Sequence, residues 1–415
     1  MSPPRTVVII GAGLAGAKAA ETLCEEGFDG RIVLLGAERE RPYERPPLSK
    51  EYLRGEAGRE QVFVHGEDFY DRHAIDVRLA ETVLSIDTGG RAVVLGARER
   101  IGYDRLLLAT GSRPRRLTLP GAELDGVCEL RTLADSDALR ARLQDGGRVA
   151  IVGGGWIGCE VAASARSMGL DVTLIEPHEL PLQHALGPRL GAFYRNLHAQ
   201  HGVRMLLGHG VAAFEGKVGG AINAVRTTDG TRIPCDFAVV GVGAVPRDEI
   251  AERAGIETAN GILVDEYLQS SVANVFAAGD VARAYHPHLD RAMRVEHWAN
   301  ALNQGAAAAR NMLGAHVAYE RLPYFFSDQY DVAMEYTGHV AEWDDVVIRG
   351  ELTAREFIAF WLRDGRVLAG MNVKVWGVTS DIEALIRSGA PIDSDRLADT
   401  SIPFGDLLPA AARHA

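Results

Sequence analysis

The chain has 415 residues, a formal net charge of −12, 46 glycines and four cysteines. That length supports two or three domains with substantial cores. The acidic balance argues against nucleic acid or an anionic membrane as the main partner. Cys24, Cys128, Cys159 and Cys235 are far apart, without C-x-x-C or metal-ligand spacing, so they read as packed core residues and no metal site is expected. No cleavage pattern follows the N-terminal apolar stretch and no apolar run is long enough for a bilayer, so a cytoplasmic setting with no membrane partner is expected.

The first predicted element is a strand over 6–10, Thr6-Val7-Val8-Ile9-Ile10, followed by Gly11-Ala12-Gly13-Leu14-Ala15-Gly16, a helix over 14–27 and a strand over 31–35. Strand, glycine turn and helix start suit a pyrophosphate seated on backbone N–H groups. An acid closing the second strand would accept ribose hydroxyls. After Gly36-Ala37 the available carboxylate is Glu38. Prolines in Arg41-Pro42-Tyr43-Glu44-Arg45-Pro46-Pro47-Leu48-Ser49-Lys50 forbid a regular helix, which predicts a rigid loop carrying cations. A turn-rich, strand-like stretch then leads to Leu106-Leu107-Leu108-Ala109-Thr110-Gly111, a buried strand ending at residues small enough for backbone to approach a cofactor. Prolines and basic residues between Ser112 and Pro120 mark a crossover.

The same pattern recurs at Val149-Ala150-Ile151-Val152 followed by Gly153-Gly154-Gly155-Trp156-Ile157-Gly158. Glu176, closing Val172-Thr173-Leu174-Ile175, is placed to accept both ribose hydroxyls and to repel a 2′-phosphate, which predicts NADH over NADPH. This second unit ends near Val242-Gly243. Two fingerprints in register with strand and helix imply two bound dinucleotides and electron transfer between them: a flavin enzyme fed by a nicotinamide.

The first domain is expected to resume with Val275-Phe276-Ala277-Ala278-Gly279-Asp280, where Asp280 reads as a cofactor acid or as a plain N-cap. Glu296-His297-Trp298-Ala299-Asn300 leads into an alanine-rich helix to about residue 313. From about 321 the pattern is α+β. Glu356–Leu362 and Arg366–Lys374 flank a two-residue hairpin turn, Asp364-Gly365, and Ser380 with Glu383 forms a capping-box pattern for a helix ending before Gly389. The expected fold is α/β, with two Rossmann-like nucleotide-binding domains, the first interrupted by the second, and a small α+β C-terminal domain. The boundaries are 1–115, 116–244, 245–320 and 321–415.

The first fingerprint, Arg45-Pro46-Pro47-Leu48-Ser49-Lys50, Ala109-Thr110-Gly111, the second fingerprint, Ala278-Gly279-Asp280 and Ser327-Asp328-Gln329-Tyr330 occur in one order along the chain. In this the sequence resembles the oxygenase-coupled NADH:ferredoxin reductases, the putidaredoxin reductase and biphenyl-dioxygenase ferredoxin reductase family. The resemblance implies FAD on Gly11, Gly13, Leu14, Ala15 and Gly16, with contacts from Glu38, Arg45, Lys50, Val83, Ala109, Thr110, Gly111, Arg131, Gly279, Asp280, His297, Trp298 and Ala299. It implies NADH on Gly153, Gly155, Trp156, Ile157, Gly158, Glu176, Val242 and Gly243. Lys50 and Glu160 are implied as the catalytic pair, with Glu160 near Lys50 on the nicotinamide side of the flavin. From the residues alone, an exposed lysine and a helix-start glutamate favoured by the dipole fit equally.

The implied partner is a small [2Fe–2S] ferredoxin feeding a cytochrome P450 or a Rieske-type ring-hydroxylating oxygenase, the reductase itself being monomer or dimer. A rubredoxin or quinone reductase, or a redox-responsive interaction protein resembling apoptosis-inducing factor, are the alternatives. The 43–50 segment contains no sulfur, which argues against a thiol–disulfide reductase. Two positions depart from the family: Ala37 stands where an acid is usual, and Phe326 where a tryptophan often precedes Ser-Asp-Gln-Tyr.

Overall fold

Val7, Val8 and Ile9 are fully buried, as a strand covered on both faces by other layers requires. In the computed structural model, which describes residues 4–217 and 219–408, their strand (Thr6–Ile10) is the middle of a five-stranded parallel sheet. Arg31–Leu35 and then Asp76–Arg78 lie on one side, Arg105–Leu108 and then Val275–Ala277 on the other. The chain folds into two compact units. This sheet belongs to the first, made of Met1–Pro46, Gly58–Arg113 and Ala244–Pro323. A three-stranded antiparallel sheet (Ser85–Asp87, Ala92–Val94, Arg100–Gly102) is part of the same unit. Its helices Leu14–Glu25 and Trp298–Met312 pack so closely that a Cβ on Gly305 would lie 2.3 Å from the Ala15 carbonyl oxygen.

The second unit comprises Pro47–Ala57, Pro114–Gly243 and Tyr324–Ala415. Its five-stranded parallel sheet repeats the first: Arg148–Val152 is central, Asp171–Glu176 and Arg204–Leu207 lie on one side, Phe237–Val240 and Val127–Cys128 on the other. In both sheets the fingerprint follows the strand at which the order reverses, the place where open α/β sheets take ligands. A second sheet, five-stranded and antiparallel, runs Tyr324–Gln329, Val332–Gly338, Arg366–Val373, Glu356–Arg363, Asp345–Glu351. Trp361, Phe357 and Met371 of this sheet share one apolar cluster with Leu174, Leu190 and Tyr194.

The hairpin at Asp364-Gly365 has both central residues at positive φ (50° and 70°), the geometry that matches strand twist. Three local expectations are corrected. The first fingerprint helix ends at Glu25, where Glu26 caps it, rather than at 27. The C-terminal helix spans Thr379–Ser388 with Val378 in the cap position, so Ser380 lies inside the first turn and makes no cap; Gly389 closes the helix in the left-handed conformation, as expected. Asp280 is not an N-cap either: Ala278 precedes the short 3-10 turn Gly279–Val281 and Asp280 sits within it. The proline-rich segment forms a 3-10 turn, Pro46–Ser49, and then one helical turn, Glu51–Arg54.

Candidate active site

In the first unit, Gly11 has φ +118° and a Cβ there would sit 2.0 Å from the Ala109 carbonyl oxygen, so only glycine fits. A Cβ on Gly16 would lie 2.0 Å from the Gly11 oxygen, which is how the helix start closes onto the strand end. Gly13 is different. It is the helix N-cap, no side chain caps the turn, and a Cβ there would meet nothing within 4 Å. Two glycines thus make the turn and the third leaves an open approach to first-turn N–H groups, the cradle a pyrophosphate needs.

The second unit builds the same device. Gly153 has φ +105° with a Cβ 2.4 Å from the Gly241 oxygen, Gly158 would collide with the Gly153 oxygen at 1.9 Å, and Gly155 is an uncapped N-cap facing open space. Glu176, buried at the end of its strand, accepts from Gly154 N at 2.5 Å through Oε2; its Oε1 accepts from His178 N at 3.0 Å and contacts His178 Nδ1 at 2.5 Å. The carboxylate is therefore fixed against the fingerprint itself. Ile157 is exposed, while Trp156 packs edge-on to Tyr194 and Phe325. Val242 is half-buried and Gly243 exposed at φ +103°.

Lys50 and Glu160 also belong to this unit, and both are 4% exposed. The exposed-lysine reading is thereby excluded. Lys50 Nζ lies 3.1 Å from Glu160 Oε1 and 5.2 Å from the centre of the Phe326 ring. Glu160 projects from the helix Trp156–Ser167, and its carboxylate also accepts from Ser49 Oγ (2.5 Å, to Oε2) and Ser327 Oγ (2.7 Å, to Oε1). A buried ion pair persists only where further hydrogen bonds satisfy the charges, and here two hydroxyls do so. Ser49 comes from the proline-rich segment and Ser327 from the C-terminal sheet, so three stretches of chain converge on one carboxylate.

The remaining expected residues are distributed as follows. Glu38 Oε2 accepts from Tyr43 OH at 2.5 Å, and Arg45, over the Tyr43 ring, reaches Glu38 Oε1 at 3.4 Å. Thr110 donates to the Arg247 carbonyl, Gly279 N donates to Gln304 Oε1, and Val83 and Ala109 lie in the core. His297 caps the helix that Trp298 and Ala299 open. Burial raises the Glu44 carboxyl, and a hydrogen bond from Trp298 works against this. Arg131, in the second unit, donates its backbone N–H to Asp135 at 3.1 Å. Sequence reasoning missed Ser49, Gln329 and His198. The first two stand inside quoted motifs, but His198 carries no local signal.

All four cysteines are free thiols, and burial pushes each above the ordinary thiol range, Cys235 to about 11. None is poised as a thiolate. Among the described residues no His/Cys/Asp/Glu group is arranged for a metal, and no helix is long and apolar enough to cross a membrane.

Residues 5–305 match the family described as Pyridine nucleotide-disulphide oxidoreductase. The chain belongs to that family. Residues 324–408 match a domain described as Reductase C-terminal, so the pyridine nucleotide-disulphide oxidoreductase core is followed by a reductase-type extension. A probable ferredoxin reductase of Castellaniella defragrans is 41% identical, over 89% of this chain and 90% of its own. The ferredoxin–NAD(+) reductase component of the anthranilate 1,2-dioxygenase system of Burkholderia cepacia is 40% identical, over 97% and 98%. Among solved structures, the reductase of the covalent putidaredoxin reductase–putidaredoxin complex superposes with a TM-score of 0.94 at 35% identity, covering 99% of both chains.

Proposed function

We propose that this protein is an FAD-dependent NADH:ferredoxin oxidoreductase that passes electrons to a small [2Fe–2S] ferredoxin serving a cytochrome P450 or ring-hydroxylating oxygenase. The observation that carries the reading is the pair of equivalent open cradles, at Gly13 and at Gly155, in a chain with near end-to-end likeness to ferredoxin–NAD(+) reductases. The first unit holds FAD through the backbone of Gly11–Gly16, with Arg45, Ala109–Gly111, Gly279–Asp280 and His297–Ala299 lining it. The second holds NADH through Gly153–Gly158, Val242 and Gly243. Bound FAD supplies the two-electron to one-electron conversion that lets a hydride donor serve a one-electron acceptor.

The protein's own groups bind, orient and balance charge. Glu176 keeps lone pairs for the ribose hydroxyls of NADH and repels the extra phosphate of NADPH. Lys50 provides a desolvated positive charge during hydride transfer, and Glu160 fixes the ammonium in position. The location fitting this chemistry is the cytoplasm, where four unpaired thiols persist.

The test is anaerobic stopped-flow mixing of the flavoprotein with NADH and then with a [2Fe–2S] ferredoxin. Flavin bleaching followed by ferredoxin reduction at turnover-competent rates is expected. Bleaching without transfer to any tested ferredoxin overturns the assignment of acceptor, and failure to bind flavin overturns the whole reading.

A further inference from the structure

Glu160 does not end its hydrogen bonding at Ser327. Gln329 Nε2 lies 3.3 Å from Ser327 Oγ, Gln329 Oε1 lies 3.0 Å from His198 Nε2, and His198 Nδ1 lies 3.1 Å from Tyr330 OH. Ser327, Gln329 and His198 are all buried, His198 completely. The chain thus runs from the buried ion pair to Tyr330, which is half-buried and stacked face to face on His201 at 3.7 Å.

Donor and acceptor roles along this path follow from one end. An ionised carboxylate only accepts, so Ser327 donates its hydroxyl proton to Glu160. Its oxygen is then available to the Gln329 amide N–H, which turns Gln329 Oε1 toward His198. That oxygen only accepts, so His198 carries its proton on Nε2, leaving Nδ1 bare to accept from Tyr330. Each donor therefore faces Glu160. The direction holds because His198 is neutral: burial pushes its imidazole down to about 4.

The turn supports a role beyond packing. Tyr330 and Asp331 join the strands Tyr324–Gln329 and Val332–Gly338, and Tyr330 has φ +57°, a conformation that favours glycine or asparagine. A tyrosine is kept there against the steric preference of its backbone. Its hydroxyl contact with His198 and its stack on His201 are what that position obtains.

We infer that Tyr330, His198, Gln329 and Ser327 form a one-way hydrogen-bond chain that keeps the Glu160 carboxylate aimed at Lys50, with His198 and Gln329 as positioning residues for hydride transfer. This rests on the proposed part of Lys50 and Glu160 in that step. The chain explains why Ser, Gln and Tyr occur at that spacing. Ser327 and Gln329 are alternate residues on one strand and so share a face, while Tyr330 leaves it at the turn. It also gives His198, on the helix Gln183–Gln200, a task no local pattern announced.

The experiment compares anaerobic flavin bleaching by NADH in the FAD-loaded wild type, Glu160→Gln, Gln329→Met, His198→Leu and His198→Gln. Removing the residue that orients a metal ligand typically costs about 10–100-fold, and orienting a carboxylate through hydrogen bonds is the same physical task. Gln329→Met and His198→Leu are expected to lower the limiting rate about 10-fold with flavin content and NADH half-saturation unchanged, and His198→Gln, which keeps a donor and an acceptor, to restore most of it. Nitrogen-15 NMR of the His198 ring supplies a readout that packing alone does not move. The wild type is expected to be protonated on Nε2. In Glu160→Gln the new amide can donate to Ser327, which allows the chain to reverse and shifts His198 toward protonation on Nδ1. Limiting rates within twofold of wild type in both cut variants, or an Nδ1-protonated His198 in the wild type, overturn the inference. Should Glu160→Gln bleach at the wild-type rate, the catalytic reading of the ion pair fails, and the His198 tautomer still decides whether the chain exists.

Discussion

Acid should weaken the second unit through His198 in an amount that can be worked out. The imidazole is fully buried, and its folded value of about 4 lies well below the ordinary 6.5. The unfolded chain therefore binds a proton that the folded chain refuses. The stabilisation is fully present above about pH 6.5 and is lost as pH falls toward about 4. At about 1.36 kcal/mol per unit, the complete difference is roughly 3 kcal/mol, of which about 2 kcal/mol falls between about pH 7 and about pH 5. His198→Gln offers a donor and an acceptor in the same place but does not titrate, so subtracting its pH dependence removes the contribution of every other group. Native-state hydrogen exchange at amides of the helix Gln183–Gln200 reads the opening free energy of that region directly. The wild type should lose about 2 kcal/mol more than the variant over this interval. Parallel losses, within about 0.5 kcal/mol, would refute the claim that His198 is buried neutral.

Three further outcomes follow from the geometry. Gly11→Ala places a methyl 2.0 Å from a backbone oxygen at a φ of +118°, so the variant should purify with less than half the wild-type flavin, read from the ratio of flavin to protein absorbance. Glu176→Ala removes both the ribose acceptor and the repulsion of a 2′-phosphate; the NADH to NADPH ratio of kcat/KM should fall about tenfold or more, and an unchanged ratio would place discrimination elsewhere. Lys50→Met leaves the Glu160 charge buried with only two hydroxyls and should cost about 3–5 kcal/mol in urea denaturation of the second unit, whereas Lys50→Met with Glu160→Leu should recover most of it.

The glycine cradles were legible because their physics is local. A collision of 2.0 Å at Gly11 and 1.9 Å at Gly158 leaves no other residue possible, and the strand and helix on either side announce themselves by periodicity. The parallel sheets, the closing acid at Glu176 and the Asp364-Gly365 turn were readable for the same reason. Helix ends were less so. Ser380 has the composition of a cap, but Thr379 is held through its hydroxyl by Glu335 of a neighbouring strand at 3.4 Å, and the helix begins two residues early. Tertiary contact, not propensity, chose the boundary.

Lys50 and Glu160 show where local reading stops. Nothing in their neighbourhoods distinguishes a solvated lysine from one 4% exposed, because burial is decided where the Ser49-Lys50 segment meets Glu160, Ser327 and Phe326, all more than 100 positions away from it. His198 is the extreme case: its neighbours on the helix suggest nothing, and its chemistry comes from two residues more than 130 positions away. A carboxylate buried without water needs every remaining lone pair and donor accounted for, so a charged pair of this kind draws its partners inward one after another. The hydrogen bonds ending on Tyr330 continue that accounting outward from Glu160. That is why the Ser-x-Gln-Tyr spacing was visible as a pattern while its reason became visible only in three dimensions.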